Sequence, residues 1–339
     1  MEFLYEYGLF VAKAITLVIA ILVVIGGIMI MAAKGRAGKQ GKLKVRHLNK
    51  RYQAMAMTLQ SKILPKQAFK NLVKTRKKQR KLDNKKTEPA DKSRSRLFVL
   101  NFQGDIQASA TASLSEEISA LLTVAEPGDE VLVRLESAGG VVHGYGLAAS
   151  QLARIKAREL KLTVAVDKVA ASGGYLMACV ADRIIAAPFA ILGSIGVVSQ
   201  IPNFHRFLKK NDIDFELITA GEYKRTLTVF GENTDKDRDK FKEDLDDIHD
   251  LFKDFVKTHR DSVDLTQVAT GEHWFGSRAL ALNLVDELRT SDDYLLEASQ
   301  SAELYEISYS GRKNLMQKLG EFTESRIINR LLPPGSGLG

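Results

Sequence analysis

From Leu97 onward, short apolar runs alternate with longer amphipathic ones, and that alternation narrows the fold more than any other feature of the chain. The runs are LFVLNF at 97–102, VLVRLE at 131–136, LTVAV at 162–166 and RIIAA at 183–187. Helical spacing falls between them, over 114–124, 143–158 and 173–181. Strand and helix in turn predict an α/β domain of βαβ units around a largely parallel sheet. A charged stretch at 235–260 places Phe241, Leu245, Ile248, Leu251, Phe252 and Phe255 at helical spacing, so it reads as a helix packed on the sheet or on a neighbouring subunit.

The N-terminal part follows different rules. Residues 14–33, AITLVIAILVVIGGIMIMAA, form an uncharged run of 20, and at about 1.5 Å per residue such a helix spans a roughly 30 Å hydrocarbon layer. A cleaved signal peptide fits less well, because the leader carries Glu2 and Glu6 where a positive charge belongs. Lys34, Arg36, Lys39, Lys42, Lys44 and Arg46 crowd the far flank of the run, and the positive-inside rule then puts the rest of the chain in the cytoplasm.

The chain's net charge of +8 is misleading, because residues 34–96 alone hold 22 Lys and Arg against 3 Asp and Glu, a net of +19 that leaves −11 elsewhere. Within that stretch Leu48, Tyr52, Met55, Leu59, Ile63, Leu72 and Val73 recur at roughly helical spacing. The expectation is an amphipathic basic neck that either meets anionic lipid or only sets a distance from the bilayer, followed by a flexible linker over 75–95. No aromatic platform or nucleic-acid-binding motif accompanies the charge, so nucleic acid is not an expected partner. The expected organisation is 1–33 membrane segment, 34–96 neck and linker, 97–310 globular domain, and 311–339 C-terminal helix and tail.

One cysteine, Cys179, rules out an intrachain disulfide, and six scattered histidines show no metal-ligand spacing. Neither a metal nor another cofactor is expected. Chemistry has to come from two glycine turns, each where a strand gives way to a helix. The first is Ser137-Ala138-Gly139-Gly140, and such a pair of glycines can aim N–H groups at an anion or simply make a tight turn. The second is Ala171-Ser172-Gly173-Gly174, where Ser172 reads as a nucleophile at a helix start or as a plain N-cap. A serine nucleophile needs a base. Lys224, after the strand-like FELI at 215–218, qualifies only if burial lowers its pKa from about 10.4 to near 7 or 8. On chemistry alone it is one lysine among many, and His143, close after the first turn, is an alternative base or a helix-start residue.

ESAGG at 136–140, VAASGGY at 169–175, GSIGV at 193–197, GEYKR at 221–225 and HWFGSRALALNLVDEL at 273–288 together resemble the SppA/SohB signal-peptide-peptidase family of serine proteases. The resemblance covers roughly residues 97–300 and extends to the single membrane segment. It implies the Clp protease/crotonase-like superfold, Ser172 as nucleophile, Lys224 as general base, and Ser194 as the residue that holds the lysine nitrogen. The backbone N–H groups of Gly140 and Gly173 would form the oxyanion hole. It further implies extended polypeptide substrates, a homo-oligomeric ring, and the inner membrane of a bacterial cell with the catalytic domain facing the periplasm, opposite to the side the charges favour. Two positions depart from the family's pattern: Ala138 replaces a usual proline, and Asn283 a usual glycine. A crotonase-like acyl-CoA enzyme and a non-catalytic membrane scaffold are the rival readings.

Overall fold

The computed structural model describes residues 41–83 and 95–311, with Lys13, Ile15, Thr16, Val18 and Ile19. In chain order the elements are β1 (Lys42–His47), α1 (Leu48–Ile63), α2 (Lys66–Asp83), β2 (Arg96–Gln103), α3 (Thr111–Leu122), β3 (Glu130–Glu136), α4 (Val142–Lys156), β4 (Lys161–Val166), β5 (Val169–Ala171) and α5 (Gly173–Ala178). Then come β6 (Arg183–Ala186), β7 (Ile191–Gly193), α6 (His205–Lys210), α7 (Asp235–His259), α8 (Leu265–Val268), β8 (His273–Phe275), α9 (Gly276–Ala281), β9 (Glu287–Leu288), α10 (Ser291–Ser301) and β10 (Glu303–Ser310).

A seven-stranded sheet runs in the order β1-β10-β2-β3-β4-β6-β9, and the pairings from β10 through β9 are all parallel. The apolar strand runs bury on both faces as parallel strands do: Leu97 to Leu100 are all buried in β2, and so are Val131 to Val133 in β3. One face, with Leu100, Phe102, Val133 and Val164, packs against α3, α4 and α5. The other, with Leu97, Val99, Leu132 and Ala165, is covered by Leu48, Tyr294 and Leu295 from α1 and α10. The chain has the mixed α/β architecture expected of it. A second, three-stranded sheet, β5-β7-β8, meets the first through a bridge between Ser137 and Ala170.

Two expectations about the neck need correction. Its residues 42–47 form β1, an edge strand of the main sheet, and Leu43–Tyr309 make one compact unit, so the folded body begins well before residue 97. Buried Asn49 secures the junction: its amide donates to the carbonyls of Ser299 and Ala302 at 3.0 and 2.9 Å, and its oxygen accepts the Leu304 N–H at 2.7 Å. Leu43 and Val45 stay exposed, so β1 has no buried face to leave a periodic signal and is held by backbone pairing. Helix α2 also continues to Asp83, through the first part of the expected linker, because Lys, Arg and Gln are strong helix formers. The membrane segment expected at 14–33 and the helix and tail expected at 311–339 lie outside the described residues, apart from the few named positions. Among the described residues no helix is long and apolar enough to cross a membrane.

Candidate active site

The turn after β3 is stitched to β5. Ser137 donates its N–H to Val169 O at 2.9 Å, and its own carbonyl accepts the Ala171 N–H at 3.0 Å. Beyond Ala171 the chain reverses sharply at Ser172, whose φ of 52° and ψ of −120° no helix cap requires. A positive φ on a non-glycine residue costs about 1–3 kcal/mol and survives only where its surroundings impose it. Here the Ser172 N–H is held by Gly193 O at 2.8 Å. Strands β5 and β7 are parallel with Ala171 opposite Gly193, so Ser172 and Ser194 follow side by side. Ser194 is strained in the same way, with φ 51° and its N–H on Glu272 O at 2.7 Å. Its hydroxyl reaches only Gly271 O, at a long 3.5 Å.

Gly139 (φ 92°) presses against this corner, where an added Cβ would lie 2.7 Å from Ser172 Cβ and 2.8 Å from Gly173 N. Among the described residues, no hydrogen bond occupies the N–H of Gly140 or that of Gly173. Ser172, Ser194, Gly140 and Gly173 line one cleft of about 1070 Å³. Its opposite wall is the apolar face of α7, with Ile248, Leu251, Phe252 and Phe255, and Leu176 lies alongside. Such a cleft suits an apolar side chain next to a few polar groups.

Lys224 is not among the residues lining the cleft. It is exposed, in a turn where its N–H meets Gly221 O at 3.2 Å. Its neighbours are engaged elsewhere: Glu222 pairs with Lys236 at 2.7 Å, and the Tyr223 ring lies under the ammonium groups of Lys236 and Lys240. The burial expected of Lys224 is therefore not met within this chain. Nor does FELI form the expected strand; Phe215, Leu217 and Ile218 are all exposed, because no strand edge of the described residues lies alongside to accept their backbone. His143 is an exposed residue at the start of α4, outside the cleft.

Sequence patterns assign no role to three residues that the structure brings to this site. Tyr145 and Ser137 join hydroxyls at 2.6 Å behind the first glycine turn. His249 lines the cleft, and its Nε2 is closed off from solvent without a hydrogen-bond partner. The available signal for His249 was its place on the apolar face of a charged helix, between Leu245, Ile248 and Phe252. Cys179 is buried behind α5, where desolvation pushes its thiol up to about 12, so it is no rival nucleophile. Among the described residues no group of His, Cys, Asp or Glu is arranged to hold a metal ion.

The family models "Peptidase family S49 N-terminal" and "Peptidase family S49" match residues 2–152 and 154–305. A probable protease SohB from Haemophilus influenzae is 48% identical over 337 residues, covering 97% of this chain and 95% of its own. One from Buchnera aphidicola is 48% identical over 304 residues, covering 87% of this chain and 99% of its own. A solved membrane-bound stomatin-specific protease, 14% identical, covers 61% of this chain and 85% of its own with a TM-score of 0.39, too slight a likeness to bear on the chemistry. Family matches along nearly the whole chain, and relatives sharing about half its residues over almost their full length, make this chain a protease of peptidase family S49.

Proposed function

We propose that the chain is a membrane-tethered serine endopeptidase in which Ser172 is the nucleophile and Lys224 the general base. The observation that carries the reading is the strained Ser172, set in an apolar cleft beside the unoccupied N–H groups of Gly140 and Gly173. The Ser172 hydroxyl attacks a peptide carbonyl and passes its proton to the neutral lysine Nζ. The resulting oxyanion accepts the two N–H groups, each typically worth about 3–4 kcal/mol. The lysine then protonates the leaving amine, and water discharges the acyl-enzyme by the same path. Ser194, next to Ser172, holds the lysine nitrogen in place. The scaffold we infer for this chemistry is the Clp protease/crotonase-like superfold.

Lysine works as a base only when kept from water. The segment bearing Lys224 must therefore dock over a cleft, either on its own chain or on a second copy. Its apolar residues support such docking, with Ile218 90% and Phe207 63% exposed, and nearby Val198 82%. A homo-oligomer is the arrangement we favour. Substrates are extended or unfolded polypeptides, signal peptides among them, with apolar side chains for the cleft. Residues 14–33 anchor the chain in a bacterial inner membrane, with the basic neck on anionic lipid. A phosphatase fused after Gly339 decides the side: activity in intact cells means periplasm, and its absence supports the cytoplasmic side favoured by the cationic flank.

The test is hydrolysis of unfolded casein and an apolar reporter peptide by the full chain in detergent micelles, with Ser172→Ala, Lys224→Ala and His249→Ala compared. Both dyad variants are expected to lose at least about a thousandfold, since residues acting as one unit fail together. His249 is the second reading, because it already shares the cleft with Ser172. Retained activity in Lys224→Ala with loss in His249→Ala would make the histidine the base.

A further inference from the structure

We propose that Tyr145 is a positioning residue: its buried hydroxyl and ring hold the two N–H groups of the oxyanion hole in register with each other. The inference rests on the reading of Gly140 and Gly173 as that hole.

Tyr145 is fully buried on α4, one turn after the first glycine turn. Its hydroxyl donates to the Asp105 carbonyl at 2.8 Å and sits 2.6 Å from Ser137 Oγ. Because the tyrosine proton is committed to Asp105, the Ser137 hydroxyl must donate to the tyrosine oxygen. The lone pairs of Ser137 Oγ then remain to accept the Gly139 N–H, at 3.0 Å. A single proton order thus runs from the glycine turn through Ser137 and Tyr145 to the loop at Asp105. Burial pushes the phenol pKa up, which favours the protonated hydroxyl that this order needs.

The same side chain reaches the other donor. An added Cβ on Gly173 would lie 2.4 Å from Tyr145 Cγ, so the ring rests directly on that peptide. The Asp105 loop in turn backs Gly140, whose Cβ would lie 2.1 Å from Ile106 O, while the Val141 N–H binds that oxygen at 2.8 Å. Gly104 leaves room for the hydroxyl pair, since its Cβ would fall 2.3 Å from Tyr145 Oη and 2.4 Å from Ser137 Oγ. Three separate segments, 104–106, 137–140 and 173, therefore take their spacing from one phenol. Neither hydroxyl needs to touch substrate. Their effect is on the geometry of charge stabilisation, which acts in the transition state more than in the ground state.

The experiment compares Tyr145→Phe, Ser137→Ala and the double variant, in the full chain in detergent micelles, with Ser172→Ala as reference. Readouts are kcat and KM on a reporter peptide, affinity for a peptide boronate, whose tetrahedral adduct uses the oxyanion hole, and the melting temperature. Each single variant should lower kcat about tenfold to a hundredfold with KM within about twofold, short of the full loss of a donor. Boronate affinity should fall in parallel, and the double variant should be no worse than the weaker single one, because the hydroxyls act in series. Wild-type kcat and boronate affinity in both single variants overturn the proposal. So does a loss that vanishes once assays are run at equal folded fraction, which marks a merely structural role. If Ser172→Ala keeps activity, the underlying reading falls and this one with it; if Ser172→Ala is inactive while both hydroxyl variants are normal, only this inference falls.

Discussion

The strands around Ser172 and the segment around Lys224 are built in opposite ways. From residue 96 to the end of β7 most apolar side chains are buried, those of the central strands almost without exception, and both Ser172 and Ser194 are pinned by backbone bonds of 2.8 and 2.7 Å. From 211 to 225 every residue is exposed, and the one described helix between 201 and 234, α6, has only six residues. The half of the site that holds the proposed nucleophile is thus assembled by the core of a single chain. The half that holds the proposed base has no such support, and it must gain order from something it docks on. A base must come within hydrogen-bond reach of the hydroxyl whose proton it takes, so this division is a physical reason for activity to depend on assembly or closure.

The largest effects should come from Ser172→Ala and Lys224→Ala, each losing at least about a thousandfold in peptide hydrolysis. The two variants should differ in one respect that sharpens the comparison. Ser172→Ala relieves no strain in φ, so its melting temperature should stay near wild type, whereas any change in assembly measured by sedimentation should track Lys224 and its neighbours alone.

Next in size is a stability effect confined to the ordered half. Arg260, 7% exposed, closes the end of α7 with bonds to Asp286 at 2.8 and 2.9 Å and to Asn283 O at 2.7 Å. Arg260→Ala removes these three bonds and takes the cation from Asp286, which is partly exposed and still accepts the Ile184 N–H at 2.6 Å, and urea melts should report a loss of about 3 kcal/mol. A loss under 1 kcal/mol would mean that α7 is as loosely held as the lysine segment, and the contrast would break.

Glu117 provides a pH-dependent term in the same half. Buried at 5% exposure, it accepts the Tyr309 N–H at 2.7 Å, and desolvation pushes its pKa up to about 7. A carboxyl raised above its unfolded value stabilises fully below that unfolded value, and the contribution fades as pH rises through about 7. Wild type should therefore lose up to about 3 kcal/mol between pH 4.5 and pH 8 relative to Glu117→Gln, which keeps an acceptor for Tyr309. Parallel curves for the two proteins would assign the pH dependence elsewhere.

The smallest expected stability effect lies in the open segment. Ile218→Ser should change the unfolding free energy of the monomer by no more than about 0.5 kcal/mol. Its effect on hydrolysis should be larger than its effect on melting, because the residue contributes only when the segment docks. Equal and negligible effects on both would deny the segment a role in completing the site.

Much of this was legible in the chain. The apolar runs gave the four main strands within a residue or two, since strands buried on both faces must be continuously apolar. Asn283, at a position where the resemblance implied a glycine, adopts φ 58°, a conformation asparagine tolerates better than most residues. The short strand β1 was not legible, because an edge strand with exposed faces carries no hydrophobic period. FELI misled for the complementary reason: its residues favour a strand, but pairing needs a neighbour, and propensity says nothing about whether one is present.

By itself the sequence determined the four main strands and the amphipathic helices between them, where the glycine turns fall, and which serine stands at the second turn. These follow from periodicity and local backbone preference, which neighbouring residues set. Only the tertiary structure decided that Ser172 and Ser194 stand side by side, that Tyr145 and Ser137 lock the turn behind them, that His249 enters the cleft, and that Lys224 is left outside it. Those relations join residues distant in the chain through strand register and packing, and no local pattern encodes a distance between segments that meet only when the sheets form.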